Sequence, residues 1–228
     1  MKPRSRNILL DRTFFERDAK VVARELLGKF LVRRHYSLIR TNKRIVRWGK
    51  DIAVMITETE AYNGPHDKAS HAYHPTASRA RASGRTKRNE PMFGEAGVWY
   101  VYLCYGVHEM LNIVTGSKEY PAAVLIRGVR YIVQNISYSK DSFSKSVRYI
   151  VQNSHRVDGP GKVTKLFKIS RALNNKKAAR ASGLWIEDRG VKIAPRAIMR
   201  AVRIGVSYAG PVWSKKKYRF ILREHTKK

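Results

Sequence analysis

Apolar and polar positions follow two rhythms along this chain, and the switches between them lay out its elements. Ala19, Val22, Ala23, Leu26 and Leu27 recur at the three- and four-residue spacing of one helix face, with Asp18 ahead of them as an N-cap and Gly28 behind as a stop. Phe30, Leu31 and Val32 then read as a strand. From His35 to Lys50 the pattern fades into a basic loop or exposed hairpin, and strand character returns from Ile52 to Tyr62. The stretch from Pro65 to Pro91 is polar and basic and reads as a solvated loop or arm. Val98 to Leu103 and Met110 to Val114 are two further strands meeting at a turn near Tyr105 and Gly106, and Ala122 to Arg127 is another, buried strand.

The second half is less regular. Val129 to Asn135 and Val147 to Asn153 are the same heptapeptide, VRYIVQN, repeated 18 residues apart. Two copies are too few for a solenoid, so the repeat reads as a local duplication that lengthens a helix or a surface excursion. Gly159, Pro160 and Gly161 form a turn into a helix over Lys162 to Leu173, whose Val163, Leu166, Phe167, Ser170 and Leu173 would make the buried stripe. Val202 to Val206 and Arg219 to Leu222 read as strands, with Lys215 to Lys217 in a turn between them. Strands and helices in this order favour an α+β fold over a doubly wound sheet. At 228 residues one generous domain, 1–228, fits better than two.

Charge changes the picture most. Lys and Arg total 47 against 17 Asp and Glu, a net charge of +30, so the surface attracts polyanions and repels its own copies. Nucleic acid is the leading partner on that ground and an anionic membrane surface the second, and self-repulsion favours a monomer. The longest stretch without a charge, Ala96 to Val107, falls short of the roughly 18 apolar residues of a membrane span. Only Ile8, Leu9 and Leu10 follow the basic start, too few for a signal-peptide core, so an intracellular site, nucleoid, cytoplasm or nucleus, is expected. The single cysteine, Cys104, excludes an internal disulfide and any multi-cysteine zinc module.

Four segments could carry chemistry. In MITETEAY, Met55 to Tyr62, strand alternation puts Val54, Ile56, Glu58, Glu60 and Tyr62 on one face. Two carboxylates on such a face in so basic a chain fit a general base that activates water, or else ion pairs with Lys or Arg. His66, Asp67, His71 and His74 are suitable metal ligands or plain surface residues, and their spacing is not diagnostic. In WYVYLCYGVHEMLN, Tyr100 and Tyr102 share a strand face and Tyr105 projects from a turn, aromatics that either stack on bases or fill the core. Gly159-Pro160-Gly161-Lys162 suits a phosphate, or an ordinary turn. GxSxG, HExxH, GxGxxG and the GxxxxGK[ST] phosphate loop are all absent.

Taken in order, these pieces resemble the alkyladenine-type DNA glycosylases, also called methylpurine or 3-methyladenine DNA glycosylases. The resemblance runs from Leu26-Leu27-Gly28 and Leu31-Val32-Arg33-Arg34 through Glu58-Thr59-Glu60-Ala61-Tyr62, Gly64-Pro65, Asp67, Ala69 and His71. It continues through Arg88-Asn89, Met92-Phe93, Tyr100-Val101-Tyr102, Tyr105-Gly106, Asn112-Ile113, and Val124-Leu125 with Arg127. It ends with Gly159-Pro160, Lys162, Arg203, Gly205-Val206, Ala209-Gly210 and Arg219-Phe220.

The resemblance implies a single compact α+β domain with a curved antiparallel sheet, surrounding helices and a protruding β-hairpin. It implies a monofunctional repair enzyme that flips an alkylated or deaminated purine out of double-stranded DNA and hydrolyses its N-glycosidic bond, without cofactor or metal. Glu60 would activate the water with Arg127 beside it, and Tyr62, His71, Tyr102 and Asn112 would hold and read the base. Tyr105 would fill the vacated stack from the minor groove, and Lys162 would contact phosphate. The stretches 36–50 and 130–154 stand out as insertions whose basic residues add phosphate contacts.

Overall fold

The computed structural model describes residues 7–40, 45–74, 84–131, 133–138, 145–150 and 156–223. In chain order the strands are β1 (Ile8–Leu9), β2 (Phe30–Arg40), β3 (Ile45–Asn63), β4 (Trp99–Cys104), β5 (His108–Val114), β6 (Ala122–Arg130), β7 (Val133–Tyr138), β8 (Lys145–Ile150), β9 (Arg156–Asp158), β10 (Leu184–Asp188), β11 (Ile198–Ala201) and β12 (Arg219–Leu222). The helices are α1 (Arg12–Phe15), α2 (Ala19–Glu25), α3 (Pro160–Leu166) and α4 (Gly210–Trp213), with short 3-10 turns between elements. This is the expected α+β fold. Ten strands form one open antiparallel sheet with the main order β1-β10-β2-β3-β6-β5-β4, and β7 and β8 pair as a separate ribbon.

The sheet is organised around β3. Along one edge β2 pairs with it up to Met55, and β12 takes over from Glu58 to Glu60. The opposite edge is held by β6, which in turn pairs with β5 near Val124 and with β9 near Val129. One face is covered by α2, whose Ala19, Val22 and Ala23 pack with Leu31, Val54, Ile56, Val124 and Ile126. Asp18 caps this helix by accepting from the Lys20 N–H at 2.8 Å. Gly28, at φ 85°, ends the following turn and donates to the Ile56 carbonyl, which joins helix to sheet. The segment from His35 to Lys50 is the hairpin alternative: β2 and β3 stay paired from Phe30–Met55 out to Arg40–Ile45.

Four expectations are corrected. The helix proposed over 162–173 stops at Leu166, because Lys168 turns left-handed at φ 50°, with Lys168 N–H on the Lys165 carbonyl and Ile169 N–H on that of Thr164. That Schellman cap uses a lysine where glycine is the usual signal. Val163, Phe167 and Leu173 still reach the core, whereas Ser170 is exposed and caps a separate 3-10 turn, Arg171–Leu173. Val202 to Val206 is not a strand: β11 ends at Ala201, and the chain dives inward at Arg203. The repeated heptapeptides do not lengthen a helix, since Val133–Tyr138 and Lys145–Ile150 are strands; residues 151–153 of the second copy lie outside the described residues. Finally, the turn after Pro65 is no solvated arm, because Asp67, Ala69, Ser70 and Ala72 are buried. Residues 75–83 of that stretch lie outside the described residues.

Candidate active site

The site is made by a fault in the sheet. Pairing of β3 with β6 slips between Ile56 and Glu58 and again between Glu58 and Thr59, leaving Thr57 and Arg127 without opposite partners. Such bulges re-aim side chains. Before the fault Val54 and Ile56 point to the α2 side. After it that side is taken by Thr59, whose hydroxyl donates to the Ala23 carbonyl at 2.8 Å, and by Ala61. Glu58, Glu60 and Tyr62 are therefore turned to the other face with Arg127. The expectation of one continuous face holds for these three residues and fails for Val54 and Ile56. Gly128 lies opposite Glu58 in the fault, where an added Cβ would stand 2.9 Å from Glu58 Cβ.

On that face lies a cavity of about 320 Å³, within the usual range for small-molecule sites. Its walls include Tyr62, His71, Tyr100, Tyr102, Asn112 and Arg127, with Ile204 and Tyr208 from the loop after β11. The structure thus brings together the side chains expected to hold a base. Tyr105 joins them at the mouth. It is 93% exposed on the β4–β5 hairpin turn, where it and Gly106 both have positive φ (51° and 69°) and Val107 N–H closes the turn onto the Cys104 carbonyl.

Glu60 is wholly buried and bonded to three residues that line the cavity. Its Oε1 accepts the Ile204 backbone N–H at 2.8 Å, and its Oε2 accepts the Tyr62 hydroxyl at 3.0 Å and Arg127 Nη1 at 3.4 Å. Burial pushes the carboxyl pKa up, against the pull of Arg127, the Ile204 N–H and Tyr62. Glu58 is also buried and takes Arg127 Nε at 3.1 Å and Arg219 Nη1 at 3.3 Å. The ion-pair reading of the paired carboxylates is met by both, Glu58 with Arg127 and Arg219 and Glu60 with Arg127.

The aromatic walls are tuned as a neutral surface. His71 Nδ1 lies 3.0 Å from the Tyr100 hydroxyl, and its ring meets Tyr102 edge-on at 4.6 Å. Surrounding protein pushes the His71 pKa down to about 4, with Arg88 adding to the effect. The ring is therefore uncharged at neutral pH. The Tyr62, Tyr100 and Tyr102 phenols are pushed up by burial and stay protonated. Asn112 spends its amide hydrogens on the Tyr100 and Met110 carbonyls, at 3.1 and 3.3 Å, which leaves Oδ1 as its remaining acceptor.

Two members of the histidine segment, Asp67 and His71, are engaged by other side chains. Asp67 is buried against Arg203 in a two-bond ion pair, 2.5 and 2.8 Å, and also accepts the Asn63 and Ala69 N–H groups. His66 is exposed, and among the described residues no group of three or more His, Cys, Asp or Glu is placed to hold a metal. Lys162 is not brought to the cavity. It is exposed on α3 and lines a neighbouring cleft with Lys165 and Lys168.

Sequence reasoning counted Arg203 among the residues of the resemblance but gave no role to it or to the loop that it anchors. Besides Asp67, its guanidinium donates to the Ala61 carbonyl at 2.9 Å and lies over the Tyr62 ring, while the next residue supplies the N–H held by Glu60. The available signal was its place in that ordered set, beside Gly205-Val206 and Ala209-Gly210.

An open antiparallel sheet whose central strand buries a carboxylate beside an aromatic cavity, with a tyrosine-tipped hairpin at the cavity's edge, is the frame on which the comparisons bear. The chain belongs to the methylpurine-DNA glycosylase family, whose model matches residues 13–226. Proteins named 3-methyladenine DNA glycosylase are similar to it over most of their length. One from Methanocella arvoryzae is 39% identical over 89% of this chain and 86% of its own. One from Psychrobacter cryohalolentis is 38% identical over 87% and 84%, and one from Anaeromyxobacter is 36% identical over 93% and 88%. Membership makes the protein a DNA repair enzyme, a glycosylase for alkylated purines. No described helix is long and apolar enough to cross a membrane.

Proposed function

We propose that this enzyme extrudes a damaged purine from duplex DNA into the aromatic cavity and hydrolyses its N-glycosidic bond with a water activated by Glu60, leaving an abasic site. The observation that carries this reading is the Glu60 carboxylate, wholly buried and hydrogen-bonded to three residues that line the cavity, Tyr62, Arg127 and Ile204, with its pKa raised by burial. As the bond breaks, positive charge grows on the sugar, and the carboxylate stabilises it while taking a proton from the water. The Arg127 guanidinium opposes that rise in pKa and favours the ionised form that accepts the proton. A base alkylated on a ring nitrogen carries positive charge and leaves as a neutral molecule. For a deaminated purine such as hypoxanthine, the neutral His71 and the Asn112 acceptor read the edge of the base.

Extrusion costs a few kcal/mol of stacking and pairing, and Tyr105, with almost no packing to lose on its turn, enters the gap. Lys162 contacts phosphate beside the cavity, and the basic surface supplies the rest of the grip on duplex DNA. The test is release of base from duplexes carrying one hypoxanthine, ethenoadenine or methylated purine, with EDTA present, comparing the natural protein with Glu60→Gln. Release that needs Glu60, survives EDTA and yields strand breaks only after hot alkali supports metal-free, monofunctional hydrolysis. Equal release by Glu60→Gln rejects the assignment of the base, and tight binding without release of any lesion rejects the catalytic reading.

A further inference from the structure

The reading above uses one carboxylate of the pair and leaves the other without a task. Glu58 is as much a part of the bulged segment as Glu60, and its surroundings are unusual for a structural acid. Its Oε1 accepts from two guanidinium groups at once, Arg127 Nε at 3.1 Å and Arg219 Nη1 at 3.3 Å. Arg127 in turn points Nη1 at Glu60 Oε2 across 3.4 Å. A guanidinium is a rigid planar fork, so fixing Nε fixes the direction in which Nη1 points. Glu58 comes from β3, Arg127 from the unpaired position of β6 and Arg219 from β12, where Ile221 stands opposite Glu58 in register and Arg219 opposite Glu60. The one backbone position facing Glu58 on β6 is Gly128, and a side chain there would displace Glu58.

We infer that Glu58 is a positioning residue for base release: it holds Arg127 by Nε so that the opposite edge of the guanidinium stays on the Glu60 carboxylate, and Arg219 balances its charge. The inference rests on the assignment of Glu60 as the general base. Glu58 does not touch the substrate and acts through Arg127. Supporting partners of this kind are typically worth about 10- to 100-fold in activity.

The experiment is a double-mutant cycle on single-turnover base release from a hypoxanthine duplex, with binding to the same duplex and thermal melting measured for each variant. The expected result is that Glu58→Ala lowers release about 10- to 100-fold, leaves the duplex Kd unchanged and recovers most of its rate as Glu58→Gln, which keeps an acceptor for Nε. In an Arg127→Gln background Glu58→Ala should then have no further effect, because the group it positions has gone. Full activity of Glu58→Ala, or the same loss with and without Arg127, would overturn the inference. A structural role alone would give the same loss in both backgrounds. If Glu58→Ala melts below the assay temperature, Glu58→Met, which fills the space but offers Nε no carboxylate, takes its place in the same cycle with the same expected and overturning results. Glu60→Gln run alongside separates the two levels: activity in that variant would overturn the base assignment, whereas an inactive Glu60→Gln with no Glu58–Arg127 coupling would overturn this inference alone.

Discussion

Replacing Asp67 by alanine should be among the most damaging single changes in the molecule, although Asp67 touches no reacting atom. Asp67 and Arg203 have no side-chain exposure, and the carboxylate accepts both guanidinium bonds as well as the Asn63 and Ala69 N–H groups. Its removal strands the Arg203 charge where water does not reach. Breaking a buried ion pair from one side costs about 3–5 kcal/mol, and the two deprived N–H groups push the loss toward the upper end. For a chain of this size each kcal/mol lowers Tm by about 2–4 °C, so melting should fall by about 6–20 °C. Far-UV circular dichroism on heating and urea titration at unchanged m-value would measure it. Tyr208→Phe, which loses only the half-exposed bond to the Ala69 carbonyl, is the control and should cost about 0.5–1.5 kcal/mol. Asp67→Leu combined with Arg203→Met should recover part of the loss, since no charge remains buried, while the Asn63 and Ala69 N–H groups still lack their acceptor. A loss below about 1 kcal/mol for Asp67→Ala would refute the reasoning, because it would mean that Arg203 is not desolvated.

Three further outcomes follow from the site. Glu60 must be ionised to accept a proton and burial disfavours that form, so release should fall as pH drops through a midpoint above the ordinary 4.5; Arg127→Gln, which removes the opposing positive charge, should move the midpoint higher still, as read from single-turnover pH profiles. Gly128→Ala forces a Cβ to within 2.9 Å of Glu58 Cβ and should cost about 1–3 kcal/mol, with a drop in base release at unchanged DNA affinity; normal release would show that the strands relax around it. Tyr105→Ala should leave stability within about 0.5 kcal/mol, because the residue is 93% exposed, yet slow excision from duplex far more than from single-stranded DNA. Equal slowing on both substrates would count against a wedge.

The parts of the fold that could be read from the chain are those set by local rhythm. Asp18 and Gly28 bracket α2 because capping and a positive φ are properties of single residues. The hairpin at Tyr105–Gly106 was legible because alternating aromatics flank a glycine. The residues of the cavity became legible only through the resemblance, since Tyr62, His71, Tyr102 and Asn112 are apart in sequence and meet through strand pairing. What stayed hidden depends on partners. Strict alternation predicts one face for 54, 56, 58, 60 and 62, and only the slip against β6 reverses it. Lys168 ends α3 with a left-handed turn that lysine rarely signals. The pairing of Arg203 with Asp67, 136 residues earlier, is carried by no local pattern.

Glu60 stands on a strand bonded along both edges, to Leu125 of β6 and Arg219 of β12. Backbone in such a place opens only when the sheet itself comes apart, so the carboxylate carries the opening free energy of the whole fold and not that of a loop. Its amide neighbours belong with the slowest to exchange, and on warming the chemistry should survive until the sheet fails. The hairpin tip has no such restraint and can sample positions on the fast timescales of surface turns. On the proposed reading, the side chain that enters DNA sits on an exposed turn and the carboxylate that hydrolyses on backbone paired along both edges.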